Sequence, residues 1–379
     1  MKKCAARKIL LACLVSLFSV SNIYANEIND SEVIKIAVLL AKTGNNSISS
    51  ESSYKIIKLA AKEINESGGL LGKNIELVHF DTQSTPLGAR SAAKKILGLQ
   101  PVAVIGPSFS STALGAAPIL QQNKVPMITT WATNPDVTQI GDFIFRVCFI
   151  DSFQGSVMAK YATEDLNAKT AVVLTNTRSR YSSDLAEFFK KSFQKNGGKI
   201  IWERGYSLST VDYRLQLMKT KQHNPDVVFL PGYERDSATI IKQARELGIT
   251  STFLGGDGWE LSMYKFGGNV IDGSYFSSHW HKDDPRMISK SFVKRVEKEY
   301  GKADIYALSY DAVYLLADSI KRAKSLDPHK VQRALATTKD FPGVTGKITF
   351  DENGDPINKA AVILKFDKGE IVYERTIMP

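Results

Sequence analysis

The chain reads as an α/β protein of two similar lobes, each built on a parallel sheet. Three observations predict this. Short, β-branched apolar runs alternate strictly with segments whose apolar residues recur at helical spacing. The alternation runs once to about residue 150 and then begins again at similar length. No low-complexity linker separates the halves, so strands crossing at a hinge are expected to join them rather than a tether.

Ile34 to Leu40 is the first strand, apolar enough for a sheet covered on both faces. Tyr54 to Ile64 places Ile56, Ile57, Ala60, Ala61 and Ile64 on one helical face, and Ser67-Gly68-Gly69 ends it. Gly44 to Ser53, before it, reads as a loop. Ile75 to Phe80 is a strand and Ala89 to Leu97 a helix. From Pro101 to Thr138 the pattern is strand, turn, helix, strand, turn. Val102 to Ile105 leads into the hydroxyl cluster Ser108, Ser110, Ser111 and Thr112; Ala113 to Gln122 is helical; Val125 to Thr129 ends in Thr130, Ala132 and Thr133. Phe143 to Phe149 is the exit strand.

The second series repeats the scheme. Its strands are Ala171 to Leu174, Ile200 to Trp202, Val227 to Leu230 and Thr252 to Leu254; its helices are Phe153 to Leu166, Ser183 to Gln194, Arg214 to Lys221 and Ala238 to Leu247. After Tyr275-Phe276, helices are expected over Ile288 to Glu299, Tyr306 to Ala323 and Val331 to Ala336. The β-like runs Lys347 to Phe350 and Ala361 to Phe366 are expected to form a hairpin turning at Asn353-Gly354. The expected division is 26-148 and 281-337 for lobe 1, with 149-280 and 338-379 for lobe 2. Hinge crossings are placed near 148 to 151, 278 to 282 and 337 to 345.

The first 25 residues carry a basic start (Lys2, Lys3, Arg7, Lys8), an apolar stretch from Ile9 to Val20, and a small-residue cleavage site at Ala25. This is the pattern of a cleavable secretory leader, 1-25. Cys13 only faintly matches a lipoprotein box. Removing the leader's four basic residues takes the formal charge from +10 to +6 and leaves Cys148 as a lone thiol. A mild positive excess without a basic, aromatic-laced stretch argues against nucleic acid as a partner. A single cysteine leaves no internal disulfide, so the cores must carry the stability.

Motifs for chemistry are missing. Gly68 to Lys73 lacks the phosphate-loop spacing and the following Ser or Thr, no GxGxxG opens a helix after the first strand, and no GxSxG elbow is present. Asp351, Asn353 and Asp355 lack the closing Glu of a calcium loop. His279 and His281 share a strand face near Asp283 and Asp284, a conceivable metal site; solvated surface side chains are the blander account. Neither catalysis, nor a cofactor, nor a resident metal is expected.

The pattern favours binding instead. Ligands of open α/β sheets sit outside the carboxyl ends of the strands. The first N–H groups of a helix lack intrahelical partners and carry partial positive charge. Ser110, Thr133 and neighbouring N–H groups can therefore hold a carboxylate without a lysine, though Ser110 to Thr112 would also serve as plain helix caps. Asp257, between glycines after a strand, can meet an ammonium or simply make a turn. Trp131, Tyr181 and Tyr233 follow strands and can wall a pocket or fill a core.

These features, in order, resemble exported solute-binding proteins of the leucine/isoleucine/valine-binding type. The carriers are KEINESGGLLGKNIELVHFDTQSTP, VIGPSFSSTA, VPMITTWATNPDVT, FRVCFIDSFQG, PDVVFLPGYERDSATIIKQARELGI, FLGGDGW and YDAVYLLADSI, and they span Ile34 to the C-terminus. The resemblance implies the type I periplasmic binding fold, with two α/β lobes joined by a three-strand hinge. It implies a periplasmic monomer that closes over an amino acid and docks on the membrane permease of an ABC transporter. It places the ligand carboxylate on Ser110, Thr133 and Tyr233, and the ammonium on Thr133, on backbone oxygen near Trp131 and Ala132, and on Asp257. Tyr181 would cover the ligand, and Asp151 would sit at the lobe crossover. Trp131 stands where the family usually has a small residue, and with the tyrosines it tilts the expected ligand toward hydrophobic or aromatic amino acids. Aromatic carboxylates come next. A receptor-linked ligand sensor is the alternative role.

Overall fold

A computed structural model describes residues 33–207, 211–301 and 306–379 of the chain. The expected leader and Cys13 lie outside the described residues. The chain opens with β1 (Val33–Leu40), α1 (Ser47–Glu66), β2 (Asn74–Asp81), α2 (Pro86–Leu97), β3 (Ala103–Ile105), α3 (Ser110–Gln122), β4 (Met127–Thr129) and β5 (Ile144–Arg146). These strands form one parallel sheet in the order β2-β1-β3-β4-β5.

The second unit comprises α4 (Asp151–Lys160), β6 (Thr170–Asn176), α5 (Arg180–Lys195), β7 (Lys199–Tyr206), α6 (Arg214–His223), β8 (Val227–Phe229), α7 (Glu234–Glu246), β9 (Thr252–Gly255), α8 (Tyr264–Gly267) and β10 (Tyr275–Ser278). The chain then runs through α9 (Met287–Tyr300), α10 (Ala307–Ala323), α11 (Pro328–Ala336), β11 (Phe341–Gly343), β12 (Gly346–Ile348), β13 (Ala361–Asp367) and β14 (Glu370–Ile377). The second sheet has the order β14-β13-β10-β9-β8-β6-β7. Its parallel part, β7-β6-β8-β9-β10, repeats the connectivity of the first sheet, so the two expected α/β series are two copies of one topology. β13 and β14 add an antiparallel edge.

Helices begin where local chemistry marks a start. Thr85 caps α2 by accepting from Gly88 N–H, with Pro86 in the first turn. Ser179 caps α5 by accepting from Ser182 N–H. The stretch expected as a loop from Gly44 to Ser53 instead becomes helical at Ser47. Serine is a modest helix former, so packing decides here. Ser49, Ser50 and Ser53 are buried, and the Ser53 hydroxyl meets that of Ser309 on α10 at 2.5 Å.

The C-terminal segment corrects two expectations. No hairpin joins residues 347–350 to β13: β12 pairs with β11, and β13 with β14. The Asn353-Gly354 turn instead closes on Asp351, whose carboxylate accepts N–H groups of Asn353 and Asp355 at 2.9 Å. Its backbone also serves lobe 1, because Gly354 C=O accepts from Arg146 N–H at 3.2 Å. Buried Arg146 holds Asp355 Oδ1 at 2.5 Å. Val344, Ile348 and Phe350 lie in the core formed by β1, α1 and α10. The third return to lobe 2 therefore falls after about residue 356, later than the expected 337 to 345. Buried Lys359 pins that return, donating to Thr345 Oγ1 at 2.6 Å. Burial lowers its pKa to about 8, against the pull of Asp311.

Candidate functional site

The carboxyl ends of both sheets face one cavity, bounded by Ser49, Ser53, Ser108, Phe109, Trp131 and Tyr306 on one side and by Tyr181, Tyr233, Glu234, Asp257, Gly258 and Glu260 on the other. Its volume is about 50 Å³. Direct contacts hold the lobes together across it. Ser49 Oγ donates to Glu234 Oε1 at 3.2 Å, and the Tyr306 hydroxyl donates to Glu260 Oε2. Asn134 Nδ2 donates to Asp184 Oδ2 at 2.6 Å, Arg180 pairs with Asp136 at 2.7 Å, and Phe109 meets the edge of Tyr233 at 5.1 Å. This is a closed cleft.

One wall begins at the exit of β3. Gly106, at φ +94°, turns the chain there, and a Cβ would strike Leu39 O at 2.4 Å. The turn delivers Ser108 and Phe109 to the cavity and starts α3, whose first N–H groups have no side-chain cap from Phe109. Ser108 Oγ is held by Thr130 Oγ1 at 2.9 Å. Trp131 follows the exit of β4, stands edge-on to Tyr306 at 6.1 Å, and has an unpartnered indole N–H.

The facing wall is built by α5, α7 and the exit of β9. Tyr181 and Tyr233 stack at 5.3 Å, and Gly258 N–H donates to the Tyr181 hydroxyl at 3.1 Å. Gly258 permits this approach: a Cβ would meet Gly232 O at 2.6 Å. The Asp257 side chain is 3% exposed. His279 Nε2–H donates to its Oδ2 at 2.9 Å, while Oδ1 has no partner. Burial holds the His279 pKa below its usual value, against the pull of Asp257. A neutral ring that fixes one carboxylate oxygen leaves the other for a ligand.

Of the residues singled out from sequence, Trp131, Tyr181, Tyr233 and Asp257 meet on the cavity wall. Ser110, Ala132, Thr133 and Asp151 are buried and do not line it. Ser110 Oγ accepts Asn134 N–H at 3.2 Å, and Ala132 C=O accepts from Arg146 at 2.6 Å. Thr133 C=O accepts Asp151 N–H at 2.9 Å. Asp151 is fully buried, and burial, then the charge of Asp257, push its carboxyl well above the usual range; the Thr133 hydroxyl pulls the other way. These four brace the wall in the closed form.

Sequence reading missed Ser49, Ser53, Glu234, Glu260 and Tyr306, and weighed His279 for a metal instead of for Asp257. Glu234 opens α7 directly after Tyr233, so position after a strand was an available signal. Ser49 and Tyr306 carried none, since lobe closure alone brings them to Glu234 and Glu260. His279 and His281 do not act as a pair. His281 Nε2 meets Ile371 O at 3.1 Å, while His279 serves Asp257.

The periplasmic binding protein family profile matches residues 33–370. A Leu/Ile/Val-binding protein homologue of Brucella melitensis is 30% identical over 342 residues, covering 89% of this chain and 91% of its own length. The crystal structure of a leucine-binding protein from Thermotoga maritima superposes with a TM-score of 0.88 at 37% identity, covering 91% of this chain and 99% of that one. The branched-chain amino acid transporter substrate-binding protein of Streptococcus pneumoniae, in complex with isoleucine, gives a TM-score of 0.87 at 30% identity, covering 92% and 100%. With two lobes of one topology closing on a shared cleft, and a profile match along nearly all of the described chain, this protein belongs to the periplasmic binding protein family, with the type I fold.

Proposed function

We propose that this chain captures an amino acid between its lobes and presents the closed complex to the membrane permease of an ABC importer. The observation that carries the reading is Asp257, a buried carboxylate of the cavity wall with one oxygen fixed by His279 and the other without a hydrogen-bond partner. An unpaired buried charge is costly, and an α-ammonium offsets it. The N-terminus of α3 faces the same cavity through Ser108 and Phe109, where N–H groups favour the ligand carboxylate. Ser110 and Thr133 support this seat from behind. Trp131, Tyr181 and Tyr233 supply an apolar wall for the side chain. A bare aromatic carboxylate would meet Asp257 without an ammonium to offset it.

The ligand stabilises the closed form through contacts that the open form lacks. A leader cleaved after Ala25 and function as a periplasmic monomer complete the proposal. A thermal-shift screen of amino acids and small carboxylates tests it, since a ligand that binds only the native state raises Tm. The expected result is a rise with at least one amino acid, unchanged ligand on recovery, and Kd on the order of micromolar, about −8 kcal/mol. A rise only with ligands lacking an α-ammonium would overturn the reading.

A further inference from the structure

The cavity left between the closed lobes is small, about 50 Å³. A buried cavity of about 150 Å³ holds one benzene ring, so this one has room for only a few non-hydrogen atoms. Among the described residues, five aromatic side chains line it: Phe109, Trp131, Tyr181, Tyr233 and Tyr306. These rings hold one another in place. Phe109 meets Tyr233 edge to face at 5.1 Å, and Tyr233 stacks on Tyr181 at 5.3 Å. Trp131 stands edge to face against Tyr306 at 6.1 Å and against His279 at 5.1 Å. His279 is itself fixed, with its ring centre 3.7 Å from that of Phe149 and its Nε2 bonded to Asp257.

Trp131 brings the largest side chain to this wall, and the chain holds it there from both sides. Its neighbours Thr130 and Ala132 are fully buried. The Thr130 hydroxyl meets that of Ser108 at 2.9 Å, and Ala132 C=O accepts from Arg146 at 2.6 Å. The indole therefore cannot withdraw with its own backbone, and swinging aside would displace Tyr306 or His279. Resting on the proposed function, we infer that Trp131 sets the upper limit on the ligand's side chain: the cleft takes the smallest amino acids, glycine or alanine, in preference to leucine, isoleucine or phenylalanine. An α-amino acid fills most of so small a space with its ammonium, its carboxylate and the carbon between them. A methyl group adds little. Each further methylene has to move rings that are already packed against one another, and packed interiors resist added volume. Cutting the indole back to a methyl group frees apolar space on the cavity wall, while Asp257 keeps its bond from His279 and His279 its contact with Phe149.

Calorimetry with glycine, alanine, leucine, isoleucine and phenylalanine tests this, on the unaltered protein and on Trp131→Ala. The unaltered protein is expected to bind glycine or alanine at least about tenfold more tightly than any of the three larger ligands, the scale on which a pocket discriminates by size. Trp131→Ala is expected to gain about tenfold or more for at least one of the larger three, without a matching gain for glycine or alanine. Leucine, isoleucine or phenylalanine bound as tightly as alanine by the unaltered protein overturns the inference, needs no variant to fold, and leaves the amino-acid reading standing. A variant that still binds glycine or alanine but gains nothing for the larger three overturns it too. Trp131→Leu, which keeps an apolar side chain, answers the same question if Trp131→Ala loses its thermal transition. No binding of any α-amino acid by the unaltered protein overturns both readings.

Discussion

The two walls of the cleft differ in kind. Among the described residues, lobe 1 contributes hydroxyls, aromatic rings and the open end of α3, all uncharged, and the carboxylates on the cavity come from lobe 2. The ligand can therefore dock on lobe 1 through neutral hydrogen bonds. Lobe 2 then supplies the charges that make the closed form worth keeping. Neutral contacts tolerate the open, wet cleft. Charges gain most once water is excluded, because interactions strengthen as the local dielectric falls. The division links affinity to closure.

The sharpest way to break this comparison is Asp257→Ala. Removing one partner of a buried pair costs about 2–5 kcal/mol, so amino-acid affinity falls roughly 30-fold or more. The matching ligand without its amine should lose far less. Equal losses, measured by calorimetry, would remove Asp257 from the ammonium.

The next effect is one of pH. The Glu234 carboxyl, ordinarily at 4.5, sits at about 8 in the closed form. Between those values the folded protein holds a proton that the unfolded chain has released. Stability of the ligand-free closed form therefore falls as pH rises through this window, and is fully present below it. Asp236, raised to about 6, and Asp151 act in the same direction. Glu234→Gln should accordingly flatten the decline in Tm between pH 6 and 8 without abolishing it. An unchanged slope would place the pH response elsewhere.

On lobe 1, Ser110→Ala should weaken carboxylate ligands only indirectly, by at most about 0.5–1.5 kcal/mol, since its hydroxyl lies behind the cavity wall. The Ser110 hydroxyl also steadies Asn134 N–H, so Tm of the ligand-free protein separates the two effects. Full affinity with a lowered Tm would make it a brace alone. The smallest change is expected from Arg180→Ala, at the mouth of the cleft. Its side chain is 54% exposed and its pair with Asp136 is screened by water, so affinity should shift by no more than about 1 kcal/mol. A larger loss would make this pair a latch.

Much of the architecture was legible before any coordinates. Local rules decide strands and helices wherever apolar periodicity is strong, as in β1 and α10. Strict alternation of the two then leaves little choice but parallel sheets. Boundaries slipped where side chains are small and ambiguous: Ser47 to Ser53 joins α1 because tertiary packing buries Ser49, Ser50 and Ser53, which no propensity records. The C-terminal turn misled for a related reason. Asn353-Gly354 satisfies hairpin chemistry, yet its backbone is claimed by Arg146, more than two hundred residues earlier in the chain.

Sequence by itself determined the two lobes, the strand-exit placement of the site, and four residues on the cavity wall: Trp131, Tyr181, Tyr233 and Asp257. Tertiary structure alone decided which polar groups meet. The Ser49 contact with Glu234 and Glu260 depends on the closure of one lobe on the other, while the His279 bond to Asp257 and the retreat of Ser110, Thr133 and Asp151 behind the wall depend on packing between distant segments. Secondary structure follows from neighbours a few residues apart. A binding site between lobes follows from residues separated by much of the chain, whose juxtaposition is set by how two finished sheets close on each other.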